Sequence, residues 1–140
     1  MNENELKQLI ETEYSNIAGI CILKNGEQAY EYCGNNSSHN SHVHIYSCTK
    51  SIISILVGVA LDHGLIQSID QPILSFFPDY QVKRGEHTIQ EITVKDMLTM
   101  TVPYKYKSAP YTKYFSSVDW VKASLDLAGG KGTIGEFRYA

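Results

Sequence analysis

The stretch that decides the fold runs from residue 46 to residue 61 and reads YSCTKSIISILVGVAL. Its apolar residues cover most of the circumference of a helix, which is typical of a helix buried in a protein core. The small and polar residues share an arc of about 100° at 3.6 residues per turn; they are Ser47, Lys50, Ser51, Ser54 and Gly58. The pattern predicts a long, buried central helix from Ser47 to His63, closed by Gly64.

Ser47 and Lys50 stand at the N-terminal end of this helix. A serine there is usually an N-cap, whose side chain accepts a hydrogen bond from a backbone N–H. Lys50 indicates a role for Ser47 beyond capping, because a cation is disfavoured near the positive end of the helix dipole. Residues three apart share a helix face, and a buried lysine with a lowered pKa can deprotonate a serine. The pair is a candidate nucleophile and base, and Cys48 is the alternative nucleophile, which nothing in the sequence favours over Ser47.

Residues 1–46 predict a helix followed by strands. Apolar residues recur at helical spacing over residues 3–14. Asn25-Gly26 separates two strand-like runs over residues 17–33 and favours a hairpin with a type I′ turn. A two-residue turn there pairs Cys21 with Tyr30 and Cys33 with Ala18, so the two cysteines do not face each other. Residues 42–46 predict a further short strand.

Residues 47–140 predict a mostly helical region after the sheet part in residues 1–46. We expect a short helical turn near residues 70–78 and a helix over residues 93–100, which a capping box of Thr93 and Asp96 opens. A helix capped by Ser116 or Ser117 is expected to end at Ala128. A turn at residues 129–132 and an extended segment over residues 136–140 complete the chain. This order predicts an α+β fold whose sheet lacks most of its strands.

Composition excludes several classes of protein. Hydrophobic residues make up 43% of the chain and charged residues 19%, so it is globular rather than disordered. A net charge of −3 does not suit nucleic acid or an anionic membrane as a partner. The N-terminus lacks the pattern of a secretion signal, and the apolar run of residues 52–61 is too short to span a bilayer. With three cysteines, which we expect to be free thiols, the sequence predicts a cytoplasmic protein.

Taken together, these segments resemble the serine β-lactamase and penicillin-binding protein superfamily. Ser47-x-x-Lys50 resembles its first motif. The succession LDHGLI at residues 61–66, IDQP at 69–72, FP at 77–78 and ITVKDMLTMT at 92–101 is similar to the class C β-lactamase and esterase branch. The end of the chain, EFRYA, resembles the start of the second motif of that branch and places Tyr139 on the motif tyrosine.

The resemblance implies a β-lactamase/transpeptidase-like fold and an acyl-transfer serine hydrolase without cofactor or metal. Ser47 would attack the carbonyl of a small amide, ester or β-lactam, and its backbone N–H would supply half of the oxyanion hole. Lys50 would remove the proton of Ser47, and Tyr139 would relay a proton to the leaving group.

Departures from the family pattern limit this expectation. Val102-Pro103-Tyr104 stands where the family usually has Ser-Gly, and the third motif, a Lys or His beside Gly on a strand, lies beyond Tyr139 in the family. We therefore expect the N-terminal part of such an enzyme, with little turnover of its own and with self-association through an exposed sheet edge. The alternatives are a non-catalytic fragment and a ligand-binding or sensing module of the same fold.

Two further patterns carry weaker signals. His39, His42 and His44 could share a metal ion, but no Cys, Asp or Glu stands close to them in sequence, so a solvated loop is favoured. Tyrosines and lysines alternate over residues 104–114. Such a pattern can bind nucleic acid or sugar, but the acidic net charge and the loop setting favour a surface loop that lines the mouth of the site.

Overall fold

The described residues, 2–34, 36–107 and 110–139, form two units in a computed structural model, Met1–Tyr46 and Ser47–Ala140. The first unit begins with helix α1, Glu3–Glu13. Asn2 caps it in a reciprocal capping box, in which its side chain accepts from the Glu5 N–H at 2.9 Å. Ile10 is the residue that this helix buries. The helix predicted over residues 3–14 is confirmed.

A hairpin of strands β1, Gly19–Lys24, and β2, Glu27–Cys33, follows α1. Its turn has the positive φ angles that a type I′ turn requires, 53° at Asn25 and 85° at Gly26. The predicted hairpin and turn are therefore confirmed.

The predicted register of the hairpin is wrong by one residue beyond the turn. A β-bulge between Ile22 and Leu23 shifts the pairing, so that Cys21 lies opposite Glu31 rather than Tyr30. Cys33 lies opposite Gly19 rather than Ala18 for the same reason. A bulge adds one unpaired residue to one strand, which a count from the turn alone does not include. The described cysteines are free, as predicted.

The strand predicted over residues 42–46 is wrong. The described sheet has only the strands β1 and β2, so the segment has no ladder to join. Its end turns away from extended geometry, because Tyr46 adopts a φ of 44° and its N–H donates to His44 Nδ1 at 3.0 Å. A β-rich composition is not sufficient for a strand without a pairing partner.

The regular elements described in the second unit are helices. Its longest helix is α2, Cys48–Asp62, which ends before Gly64 with a φ of 69°, close to the predicted bounds. The elements that follow are a 3₁₀ turn at Ile73–Phe76, α3 at Thr88–Glu91, α4 at Val94–Thr99, α5 at Tyr111–Phe115 and α6 at Trp120–Leu127. The short helices α3 and α5 were not predicted.

Of the N-terminal caps predicted for α4 and α6, the first is present and the second is not. The predicted capping box of α4 is confirmed, since Thr93 and Asp96 each bind the backbone of the other. The predicted cap of α6 is wrong, because Asp119 caps this helix by accepting from the Lys122 N–H at 2.8 Å. Ser117 instead donates its hydroxyl to the carbonyl of Asp119 at 2.9 Å.

The core of the second unit lies between the 3₁₀ turn, α3 and α6. Its buried residues are Ile73, Ile89, Ile92, Val102, Leu125 and Ala128. Two short backbone pairings tie the loops around it, Pro72 with Thr93 and Tyr104 with Ala128. Glu86 adds a polar anchor, because its carboxylate accepts from the Gly130 N–H and forms an ion pair with Lys105 at 3.2 Å.

The prediction that α2 is a buried central helix is wrong for the described part of the chain. None of its residues is buried, and Ile55 has 68% of its surface exposed. The apolar residues around most of α2 are typical of a buried helix, but no α2 residue belongs to the core cluster. The expected self-association through an exposed sheet edge stays a prediction.

We expect the second unit to lose stability between neutral pH and about pH 3. Burial raises the pKa values of Asp96 and Glu86, but hydrogen bonds outweigh it and hold both below their ordinary values of 3.8 and 4.5. The hydrogen bond from Lys122 lowers the pKa of Asp126. Because these pKa values are lower in the folded state, their stabilisation is complete above the unfolded values and is lost as pH falls through the folded values.

Urea unfolding at pH 7 and at pH 3 measures this loss. The variant Asp96→Asn is the matched test, since it keeps the side-chain shape and removes one of the titrating groups. Its stability should fall less between the two pH values than that of the unmodified chain. Equal stability of the unmodified chain at both pH values would contradict the expectation.

Candidate active site

The N-terminal end of α2 holds the predicted serine–lysine pair. Ser47 precedes the helix with α-helical angles, φ −73° and ψ −7°, and its side chain makes no capping hydrogen bond. Its Oγ instead accepts from Lys50 Nζ at 3.2 Å. The simple interpretation of Ser47 as an N-cap therefore does not describe its side chain. The contact agrees with the expectation that the two residues share one helix face, while their catalytic roles stay a prediction.

Tyr139 completes a group of three. Its hydroxyl donates to Ser47 Oγ, and its ring lies under Lys50 Nζ, 5.1 Å from the ring centroid. The structure thus brings together all three residues that the sequence selects, although Ser47 and Tyr139 are 92 positions apart. Both neighbours therefore lie within hydrogen-bonding reach of one hydroxyl oxygen, the proximity that proton transfer between these groups requires.

The segment that carries Tyr139 is fixed on the turn after α4. Met100 ends that helix in the left-handed region, with a φ of 55°, and its carbonyl accepts from the Arg138 N–H at 2.8 Å. The Arg138 guanidinium donates to the carbonyl of Tyr106 at 2.6 Å. Arg138 therefore sets the position of Tyr139. Nothing in the sequence marks Arg138 for this role except its position directly before Tyr139.

A cavity of about 610 Å³ opens beside Lys50 and Tyr139. Besides Tyr139, the four tyrosines between residues 104 and 114 line it, as predicted for that region; they are Tyr104, Tyr106, Tyr111 and Tyr114. The last two belong to α5, where the sequence predicted a loop. Burial raises the pKa values of Tyr104 and Tyr106 above the ordinary value of 10.0. Both phenols, which are neutral near pH 7 in any case, can donate hydrogen bonds there.

The cavity is positively charged and open. Its described lining contains Lys50, Lys107 and Arg138 and no Asp or Glu. Ser47 and Lys50 are exposed, and Tyr139 has 61% of its surface exposed. The burial that would make Lys50 a base by desolvation is therefore not met in the described chain, because α2 lies uncovered. This geometry does not support activation of Ser47 by a desolvated lysine. The support for Ser47 as a nucleophile comes instead from the two hydrogen bonds at its Oγ.

Cys48, the alternative nucleophile, is exposed and free. The side-chain hydrogen bond of Lys50 goes to Ser47, its neighbour on the same helix face. Ser47 Oγ is also the atom that Tyr139 contacts. The geometry therefore favours Ser47 over Cys48 as the atom at the centre of the site.

The comparisons with known proteins identify the family of the chain. A mixed structure of helices and a small antiparallel sheet is consistent with a serine hydrolase-like fold. The family model described as Beta-lactamase matches residues 6–128. The chain therefore belongs to the Beta-lactamase family. No curated protein matches it. Within the described ranges, no helix has both the length and the apolar character needed to cross a membrane.

Proposed function

We propose that the chain is a serine hydrolase of the β-lactamase type, which transfers an acyl group through Ser47. The substrate class is a small amide, ester or β-lactam. The observation that carries the proposal is the pair of hydrogen bonds at one oxygen, from Lys50 Nζ and from the Tyr139 hydroxyl to Ser47 Oγ. A structural serine has no need of a lysine and a tyrosine at the same atom, whereas a nucleophile must exchange its proton.

The proposed reaction has two steps. In the first, Ser47 Oγ bonds to the substrate carbonyl carbon and its proton passes to the Lys50 amine. The bond to the leaving nitrogen or oxygen then breaks as Tyr139 supplies that atom with a proton, which Lys50 returns to the phenol. In the second step, water attacks the ester on Ser47 and releases the acid. The Ser47 N–H, at the positive end of α2, stabilises the oxyanion.

The open site sets an expectation for the rates of the two steps. Hydrogen bonds to an oxyanion are strongest where water is excluded, and here all three reacting groups are exposed. Residues 1–140 should therefore accept an acyl group from an activated ester but release it slowly. A cytoplasmic location remains a prediction from the sequence.

The same exposure favours one alternative, a module that binds a ligand in the cavity without turning it over. The two functions differ in one measurable respect. A serine hydrolase leaves an acyl group on the protein, while a binding module gives a reversible complex of unchanged protein mass. A non-catalytic fragment would give neither.

The test follows the intact mass of the chain with p-nitrophenyl acetate and with nitrocefin. We expect one acyl group per chain from at least the activated ester. The variants Lys50→Met and Tyr139→Phe should each lower the acylation rate, by about 10²–10⁴-fold if they remove general acid–base catalysis. Lys113→Met, an exposed lysine of α5 that does not line the cavity, is the control and should react like the unmodified chain. Saturable binding without a mass increase would support the binding module instead.

A further inference from the structure

Three different ligand side chains converge in the first unit, which holds none of the residues of the proposed active site. An oxygen of Glu31, the sulfur of Cys33 and an imidazole nitrogen of His39 all lie within 4.8 Å of one another. We propose that these three residues bind one thiophilic divalent cation, of which Zn²⁺ is the best match. This site is independent of the proposed hydrolase function.

The hairpin and the loop after it explain the convergence. Glu31 and Cys33 are two residues apart on β2, so their side chains leave the same face of the sheet. The chain then turns back, because the Ser37 N–H and hydroxyl both donate to the carbonyl of Gly34, at 2.9 Å and 3.1 Å. The Ser37 hydroxyl also contacts the carbonyl of Ala18 on the other side of the hairpin. This turn returns His39 to the face that holds Glu31 and Cys33.

The set of donor atoms is the one that zinc prefers. Cysteine thiolate, imidazole nitrogen and carboxylate oxygen are its three protein ligand types, with bonds of about 2.0–2.3 Å in tetrahedral geometry. A softer metal is favoured over Mg²⁺ or Ca²⁺ by the sulfur and the imidazole, since those ions select oxygen. Three protein ligands leave a fourth position for water.

The contacts around Glu31 support the same assignment. Its Oε1 lies 2.6 Å from His39 Nδ1. A bound cation would replace this direct contact by one bond to each of the two atoms. Ligands on a tetrahedral zinc lie roughly 3.3 Å apart, so the two side chains need to separate by less than an ångström. His39 is 71% exposed and has room for that movement. The other oxygen, Oε2, accepts from Gln28 Nε2 at 2.7 Å, an outer hydrogen bond of the kind that orients a metal-bound carboxylate.

This proposal departs from the sequence analysis in two ways. The sequence predicts no metal, and its weaker alternative grouped His39 with His42 and His44. Among the described residues, the metal-ligand group contains His39 but neither of the other two histidines. Glu31 and Cys33 were not considered as its partners because their approach depends on the turn at Ser37.

Co²⁺ and then Zn²⁺, titrated into the reduced full chain at pH 7, test the proposal. We expect one Co²⁺ per chain, with the near-ultraviolet charge-transfer band of a cobalt–thiolate bond and the visible bands of tetrahedral cobalt. Zn²⁺ should displace it at one equivalent. Cys33→Ser should remove the charge-transfer band, and His39→Gln should weaken Zn²⁺ binding by at least about 10-fold. Far-ultraviolet circular dichroism establishes that each variant keeps its fold.

Cys48→Ser is the matched control, since Cys48 is a free thiol of the second unit. It should bind both metals like the unmodified chain. Absence of stoichiometric binding would overturn the proposal, and so would a charge-transfer band that survives in Cys33→Ser and disappears in Cys48→Ser.

Discussion

Ser47→Ala is expected to abolish the transfer of an acyl group from p-nitrophenyl acetate to the chain. The substitution removes the oxygen to which Lys50 and Tyr139 both donate, at the position where the acyl bond would form. The measurement compares the intact masses of the variant and of the unmodified chain over the same reaction time. We expect the variant to gain no more mass than the slow, non-specific acetylation of a denatured sample.

Cys48→Ala is the matched control for that experiment. Cys48 is the next residue in the chain and is exposed, so it meets the same reagent in the same surroundings. This variant should acquire the acyl group at the rate of the unmodified chain. If Cys48→Ala instead abolishes the reaction while Ser47→Ala retains it, the nucleophile is the thiol and the assignment of Ser47 is wrong.

Ile92→Ala is expected to lower the free energy of unfolding of the second unit by about 2–5 kcal/mol. Ile92 has 0% of its surface exposed and belongs to the core cluster. Its carbonyl accepts from the Ile73 N–H at 2.9 Å, a bond that the substitution leaves in place. The loss therefore comes from the buried side chain and from the cavity that alanine leaves. Urea unfolding, followed by circular dichroism, measures it.

Ile55→Ala makes the same chemical change on the exposed face of α2. Because 68% of Ile55 is exposed, the free energy of unfolding should change by less than about 1 kcal/mol. An equal, large loss in both variants would show that α2 is covered in solution, either by a second copy of the chain or by another part of it. It would contradict the separation between core and exposed helix that the structure shows.

Local signals in the sequence were sufficient where the structure is decided locally. Asn25-Gly26 predicted the turn of the hairpin because few other dipeptides tolerate positive φ at both positions. The reciprocal bonds of Thr93 and Asp96 lie within one helical turn, so their spacing alone predicted the start of α4. The bounds of α2 followed from its apolar run and from Gly64 in the same way.

Features that depend on distant partners were not predictable. The bulge at Ile22 changes the register of the hairpin without any glycine to mark it. Residues 42–46 have the composition of a strand, but pairing needs a neighbour that composition does not reveal. The expected burial of α2 failed for the same reason, since an apolar pattern states what a helix can bury and not what covers it.

The candidate site likewise has a part that local spacing predicts and a part that depends on distant contacts. Ser47 and Lys50 lie three residues apart on one helix, and their spacing was sufficient to place them together. Tyr139 lies far along the chain and was selected by its resemblance to a family motif. The turn at Met100 and the guanidinium of Arg138, which hold Tyr139 at Ser47, depend on contacts that only the structure shows.

The central claim is that Ser47 is the acyl acceptor, and locating the acetyl group tests it most directly. The unmodified chain is treated with p-nitrophenyl acetate, digested with trypsin and sequenced by tandem mass spectrometry. The peptide of residues 25–50 contains Ser47 together with two competing thiols, Cys33 and Cys48. An acetyl group on Lys50 would block cleavage after that residue and would appear in a peptide of residues 25–83. We expect the acetyl group on Ser47, and we expect it to be absent in chain denatured before treatment. An acetyl group on Cys48 or Lys50, or none in the folded chain, would contradict the account.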